Sequence, residues 1–134
     1  MTLFAKNLRN QNGTAAIEFA FAVPILIVLF YGLAQFGIVL LANAGIRHAL
    51  DVGARATTIY VGATPMTDAQ IRTAVTNSIY GVENGTLSTP TITRGTSNGV
   101  NFVDISINYS APIDVMIYQF GPIDLSETRR AYLP

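Results

Sequence analysis

From Phe19 to Ile46 the chain runs for 28 residues without an Asp, Glu, Lys or Arg. Only Pro24, Gln35, Asn43 and the glycines Gly32, Gly37 and Gly45 interrupt its apolar character. A hydrocarbon core of ~30 Å needs about 20 apolar residues in a helix, and the densest part, Val23 to Leu41, nearly suffices alone. The apolar core of a secretory signal peptide is about 7–15 residues and ends at a small-residue cleavage site. This run is longer and lacks such a site, so it reads as a retained membrane helix spanning about residues 19–41. Pro24 removes one backbone donor and is expected to kink it, a defect membrane helices tolerate.

Helical spacing continues past Asn43. Ile46, Leu50 and Ala54 share one face, and Gly45, Ala49, Gly53 and Thr57 form a small-residue stripe. Such a stripe permits close backbone approach, either between helices of neighbouring molecules or within one molecule, and the sequence leaves the two equal. Arg47, Asp51 and Arg55 form an i, i+4 ladder expected to face headgroups or water. Gly62-Ala63-Thr64-Pro65 breaks the helix. A second helix is predicted from Thr67, which caps it while Gln70 completes a capping box. Ile71, Val75 and Ile79 line one face of that helix, and Gly81 ends it.

The period then changes. Glu83-Asn84-Gly85-Thr86 reads as a turn, Thr91-Ile92-Thr93 as a short strand and Gly95-Thr96-Ser97-Asn98-Gly99 as a second turn. Val103, Ile105, Ile107 and Tyr109 alternate with Asp104, Ser106 and Asn108, the pattern of a half-buried strand, which Ala111-Pro112 should end. Val115-Met116-Ile117-Tyr118 suggests a short apolar turn against the head or the membrane surface. Asp124 to Tyr132 reads as a closing strand with Arg129 and Arg130 exposed. The predicted class is α+β: a long N-terminal transmembrane helix continuing into a small head with a second helix and a short antiparallel sheet.

With 134 residues the chain has room for one membrane element and one small domain. Half of it is hydrophobic and 12% is charged, with zero net charge. That balance offers no bulk attraction to nucleic acid. The absence of cysteine excludes disulfides, thiolate metal sites and a cysteine nucleophile. Lys6, Arg9 and the initial amine precede the apolar run with no acid among residues 1–13, while Arg47 and Arg55 follow it around Asp51. Lysine and arginine alone give two against two, and the amine and short leader tip the orientation towards a cytoplasmic N-terminus.

Little in the chain suggests catalysis. His48 is the only histidine and lacks the further ligands a metal needs. There is no nucleophile elbow or phosphate-binding glycine loop. Asp104, Asp114 and Asp124 do not read as paired catalytic carboxylates. Gln35 reads as a satisfied polar spot at a helix contact, since a single helix has no transport pathway of its own. Asn84-Gly85-Thr86 matches a glycosylation triplet of a kind common by chance. No enzyme activity, metal, cofactor or small-molecule substrate is expected.

The remaining feature is the junction ahead of the apolar run. Gly13 is followed by four residues and then by Glu18-Phe19, with Glu18 the only charge between Gly13 and the apolar run. This resembles the processing site of type IV prepilins. The longer string from Gly13 to Pro24, with Tyr31-Gly32-Leu33-Ala34-Gln35-Phe36-Gly37, is similar to the TadE-like pseudopilins of the tight-adherence pilus system. The resemblance is specific over about residues 9–40, and Gln35 stands where the family often has an acid. It implies a leader of residues 1–13, a helix of residues 14–60 and an extracytoplasmic head of residues 61–134. Cleavage by a prepilin peptidase would fall between Gly13 and Thr14, with Lys6 and Arg9 on the cytoplasmic side of a bacterial inner membrane. The implied partners are that peptidase, other pilins and pseudopilins, the assembly machinery and the membrane.

Electrostatics bear on the same junction independently. Cleavage would create an amine at Thr14, one helical turn from Glu18. An unpaired carboxylate is strongly disfavoured in a low-dielectric surrounding and a paired one is tolerated. Glu18, beside Phe19, is therefore expected to pair with an N-terminal amine during assembly, its own or a neighbour's. The bland alternative is a helix N-terminal acid favoured by the dipole and wetted by headgroups. At the level of the whole chain, the competing reading is an uncleaved signal-anchored subunit of an envelope complex whose head binds protein.

Overall fold

The computed structural model describes residues 12–61, 64–115 and 118–133. Helix α1, Asn12–Thr57, is continuous through Pro24. It ends where Thr57 and Thr58 turn their hydroxyls onto the carbonyls of Ala54 and Arg55, at 2.7 and 2.8 Å. Two short strands follow, β1 (Tyr60–Val61) and β2 (Thr64–Pro65), paired antiparallel. Gly62 and Ala63, from the expected helix-breaking segment, lie outside the described residues.

Helix α2, Asp68–Ser78, starts at the predicted capping box. The Thr67 hydroxyl accepts from the Gln70 amide, and the Gln70 side chain accepts from the Thr67 amide at 2.9 Å. Its C-cap is Ile79 in extended conformation, earlier than Gly81, which was expected to end the helix. Gly81 instead takes a positive φ of 74° where the backbone passes close to Leu41 of α1. Both helices, the long apolar one and the short amphipathic one, agree with the sequence reading.

The sheet is antiparallel, as expected, but its strands are longer than predicted. β5, Val100–Val115, is the centre. One of its edges carries β3 (Thr86–Leu87) and β4 (Thr91–Ser97), and β6 (Tyr118–Tyr132) pairs along the other. Only Asn98 and Gly99 form the turn between β4 and β5, with φ of 52° and 79°, the left-handed pair a tight hairpin requires. Gly95 belongs to β4 because the Phe102 ring of β5 covers it. Pro112 does not end β5. The register shifts between Ala111 and Ile113, so that Pro112 opposes Gly121 and Pro122 of β6 in a bulge where a missing N–H is tolerated. Met116 and Ile117 lie outside the described residues, but their flanks Val115 and Tyr118 are paired strand residues, not a helical turn.

The core forms where the second half of α1 and α2 cover one face of this sheet. Val103, Ile105, Ile107, Tyr109 and Ala111 of β5 point inward against Val39, Ala42, Ile46, Ala49 and Leu50 of α1 and Ile71 and Val75 of α2. The small stripe on α1 is thereby explained within one molecule. At Gly45 a Cβ would collide with the Tyr80 carbonyl, and at Gly53 with Val75 and Ile105.

Candidate functional site: the junction on an uncovered apolar helix

The head grips α1 from Val39 onward, and the preceding part of the helix projects away from it. Among the described residues, Val39 is the first buried position of α1. Before it, Phe19 is 69% and Phe21 74% exposed, and Ile25, Phe30, Leu33 and Phe36 are exposed likewise. By length and composition this helix is apolar enough to cross a membrane. Phe19 to Leu41 covers about 35 Å at 1.5 Å per residue, enough to cross a hydrocarbon core of ~30 Å. In water such a surface would drive aggregation, whereas lipid removes the penalty. Helix and head together have the form of a single-pass membrane protein.

The residues singled out in the sequence fall at the start of this helix. Gly13, Thr14, Glu18 and Phe19 all lie within α1 and are exposed. Thr14 and Glu18, at i and i+4, share one face about 6 Å apart along the axis. A Cβ at Gly13 would meet no atom within 4 Å among the described residues, so their packing gives no reason for glycine there. Lys6 and Arg9 lie outside the described residues. Further along, the Gln35 amide donates to the Tyr31 hydroxyl at 3.1 Å, one turn back on the same helix.

The charge ladder beyond the apolar run does not simply face water. Arg47 donates through Nε and Nη2 to Glu127 of β6, at 3.0 and 2.8 Å, and Asp51 accepts from Arg129 at 3.0 Å. Each of these partly exposed pairs contributes at most about 1 kcal/mol, but together they fix the direction and level of β6 against α1. Sequence reasoning missed them because it treated the i, i+4 neighbours as the natural partners. The one available signal was the matching alternation of Glu127 and Arg129 on the closing strand.

The other chemistry-bearing side chains are engaged in packing or pairing. His48 is exposed with its ring 5.8 Å from that of Tyr80. Asp104 is held by Arg130, which keeps its carboxyl below the ordinary carboxylate range through hydrogen bonding. Asp124 accepts from the Ser110 hydroxyl at 2.6 Å. Gly85, inside the glycosylation triplet, lies against the Tyr109 ring and the Ser110 carbonyl, where a side chain would not fit. Burial pushes the Tyr109 phenol up, and its hydroxyl has no hydrogen-bond partner among the described residues.

Residues 13–55 match the family model described as TadE-like protein. The match starts at Gly13 and covers nearly the whole of α1, and the resemblance read in the sequence is borne out over that stretch. No curated protein and no solved structure matches the chain.

Proposed function

We propose that the protein is a pseudopilin of a tight-adherence pilus system, anchored by α1 and cut after Gly13 by a prepilin peptidase. The observation that carries this reading is the TadE-like match from Gly13 to Arg55, along a helix whose first part packs against nothing else described in the chain. In this account residues 1–13 are the leader, residues 14–60 the helix and residues 61–134 the extracytoplasmic head. Lys6 and Arg9 hold the N-terminus in the cytoplasm. Cutting exposes the Thr14 amine, and Glu18, next to Phe19, pairs with the amine of an adjoining subunit. The pair compensates a charge that lipid or a filament core would otherwise disfavour. The same exposed surface then passes from lipid to the helices of other pilins, because both present an apolar surrounding.

The test is N-terminal sequencing of the protein from cells with an active prepilin peptidase. A mature chain starting at Thr14, and a longer form in Gly13→Val, are the expected results. A chain starting at Met1 in those cells would sink the reading and favour an uncleaved signal-anchored subunit.

A further inference from the structure

The ion pairs along α1 set the level of the sheet relative to the membrane helix. Glu127 lies beside Arg47 and Arg129 beside Asp51, so β6 and α1 run in the same direction, away from the apolar segment. β5 runs the opposite way, and the described strand ends around Ile113 and Phe120 therefore lie towards the membrane. Packing continues that way through Ala111 and Ile123, which join the core cluster containing Val39 and Ala42.

The strands then outrun the part of the helix that the head covers. From Glu127 back to Phe120 is seven residues, about 23 Å of strand. From Arg47 back to Val39 is eight residues, about 12 Å of helix. The hairpin end thus overhangs Val39 by up to about 10 Å, the difference of these two lengths, less whatever the strand twist diverts sideways. That is the level of the outer part of the apolar run. Ile113 pairs with Phe120 there, next to Asp114 and Gln119, and Phe120 is 55% exposed.

We propose that this hairpin end, carrying Ile113 and Phe120, is a second membrane contact that rests in the headgroup layer of the bilayer α1 spans. The proposal needs the span but not the cut after Gly13. Two features set the depth. The outward N–H and C=O groups of a hairpin edge cannot enter hydrocarbon unsatisfied, and the Asp114 carboxylate must stay hydrated. The Phe120 ring and the Ile113 side chain, in contrast, gain by burial at the boundary between headgroups and acyl chains, as apolar side chains of interfacial segments do. Because the described residues of these strand ends bring Asp114 and no Lys or Arg, the attraction is apolar and does not require anionic lipid. With α1 it forms a two-point attachment that limits tilting of the head.

The chain has no tryptophan, so single introduced tryptophans report cleanly. The full chain carrying Phe120→Trp is reconstituted in phosphatidylcholine vesicles with or without bromine near the carboxyl end of the acyl chains. Val100→Trp, at the opposite end of β5, serves as the remote reference, and Ile27→Trp as the marker of the span. The expected result is a blue-shifted emission for Phe120→Trp and severalfold more bromine quenching than for Val100→Trp. Equal behaviour of those two variants, with Ile27→Trp quenched, would overturn the hairpin contact and leave the span intact. A blue shift that grows with protein density but not with bromine would point to a neighbouring protein and overturn it as well. An unquenched Ile27→Trp would overturn the span and the hairpin contact together.

Discussion

Arg130 lies over the face of Phe102, its guanidinium carbon 3.9 Å from the ring centroid, while Nε and Nη2 reach the two oxygens of Asp104 at 2.7 Å each. The three residues sit on the sheet face away from the helices. The Asp104 pair raises the guanidinium pKa further, so this group stays charged at any working pH. The fork and ring hold the ends of β5 and β6 in register on a face that no other described element covers.

This arrangement has a pH signature. The Asp104 carboxyl is held below its ordinary value of 3.8, first by the hydrogen bonds from Arg130 and then by its charge. A depressed native pKa contributes stability that is complete above the unfolded value and is lost as pH falls through the native one. The head should therefore lose stability below about pH 4, where unfolded carboxylates take up protons. Asp104→Asn should be less stable at neutral pH and show a flatter acid limb. Urea unfolding in detergent at a series of pH values checks both.

Gly53 tests the packing of the helices on the sheet. A side chain there meets Val75 of α2 and Ile105 of β5. Gly53→Leu should destabilise by about 1–3 kcal/mol through overpacking, and Ile105→Ala by about 2–5 kcal/mol through the cavity it leaves. Gly37, where nothing lies within 4 Å of an added Cβ, should accept alanine without changing the unfolding midpoint of the head.

These sites also indicate how much of the fold the sequence carried. The membrane helix, the Thr67 capping box and the inward series from Val103 to Tyr109 were legible because each is a local pattern with one periodic reading. The Arg47–Glu127 and Asp51–Arg129 pairs were not, since they join positions 80 and 78 residues apart. Gly95 and Pro112 were read as breaks because the residue types favour turns, whereas a covering ring and a bulge let both remain in strands. The junction at Gly13 was legible as a motif, yet no contact among the described residues calls for glycine there.

The Asn98-Gly99 turn gives a contrast between two adjacent positions. Both residues have positive φ, but asparagine tolerates the left-handed region far better than a branched residue does. Gly99→Val should cost about 1–2 kcal/mol or more, while Asn98→Gly should leave stability within a few tenths of a kcal/mol, since glycine suits the same turn. Thermal unfolding followed by far-ultraviolet circular dichroism distinguishes the two, as the sheet signal depends on this hairpin.

The last prediction separates the two roles assigned to the N-terminal junction. Gly13 and Glu18 lie five residues apart on one continuous helix, and Glu18 lies beyond the bond proposed to be cut. If recognition for cutting depends on Gly13 and assembly on a charge pair, Glu18→Ala should yield a mature chain starting at Thr14 but no surface pilus. Glu18→Gln should fail in the same way, because an amide keeps the shape and polarity but offers the amine no opposite charge. Mass spectrometry of the membrane fraction reads the cut, and shearing of surface filaments reads assembly. Filaments at normal abundance in Glu18→Gln would mean that the carboxylate acts only as a wetted acid near a helix start, worth a few tenths of a kcal/mol to about 1 kcal/mol through the dipole. The charge pairing would then have to be abandoned, even with cleavage after Gly13 intact.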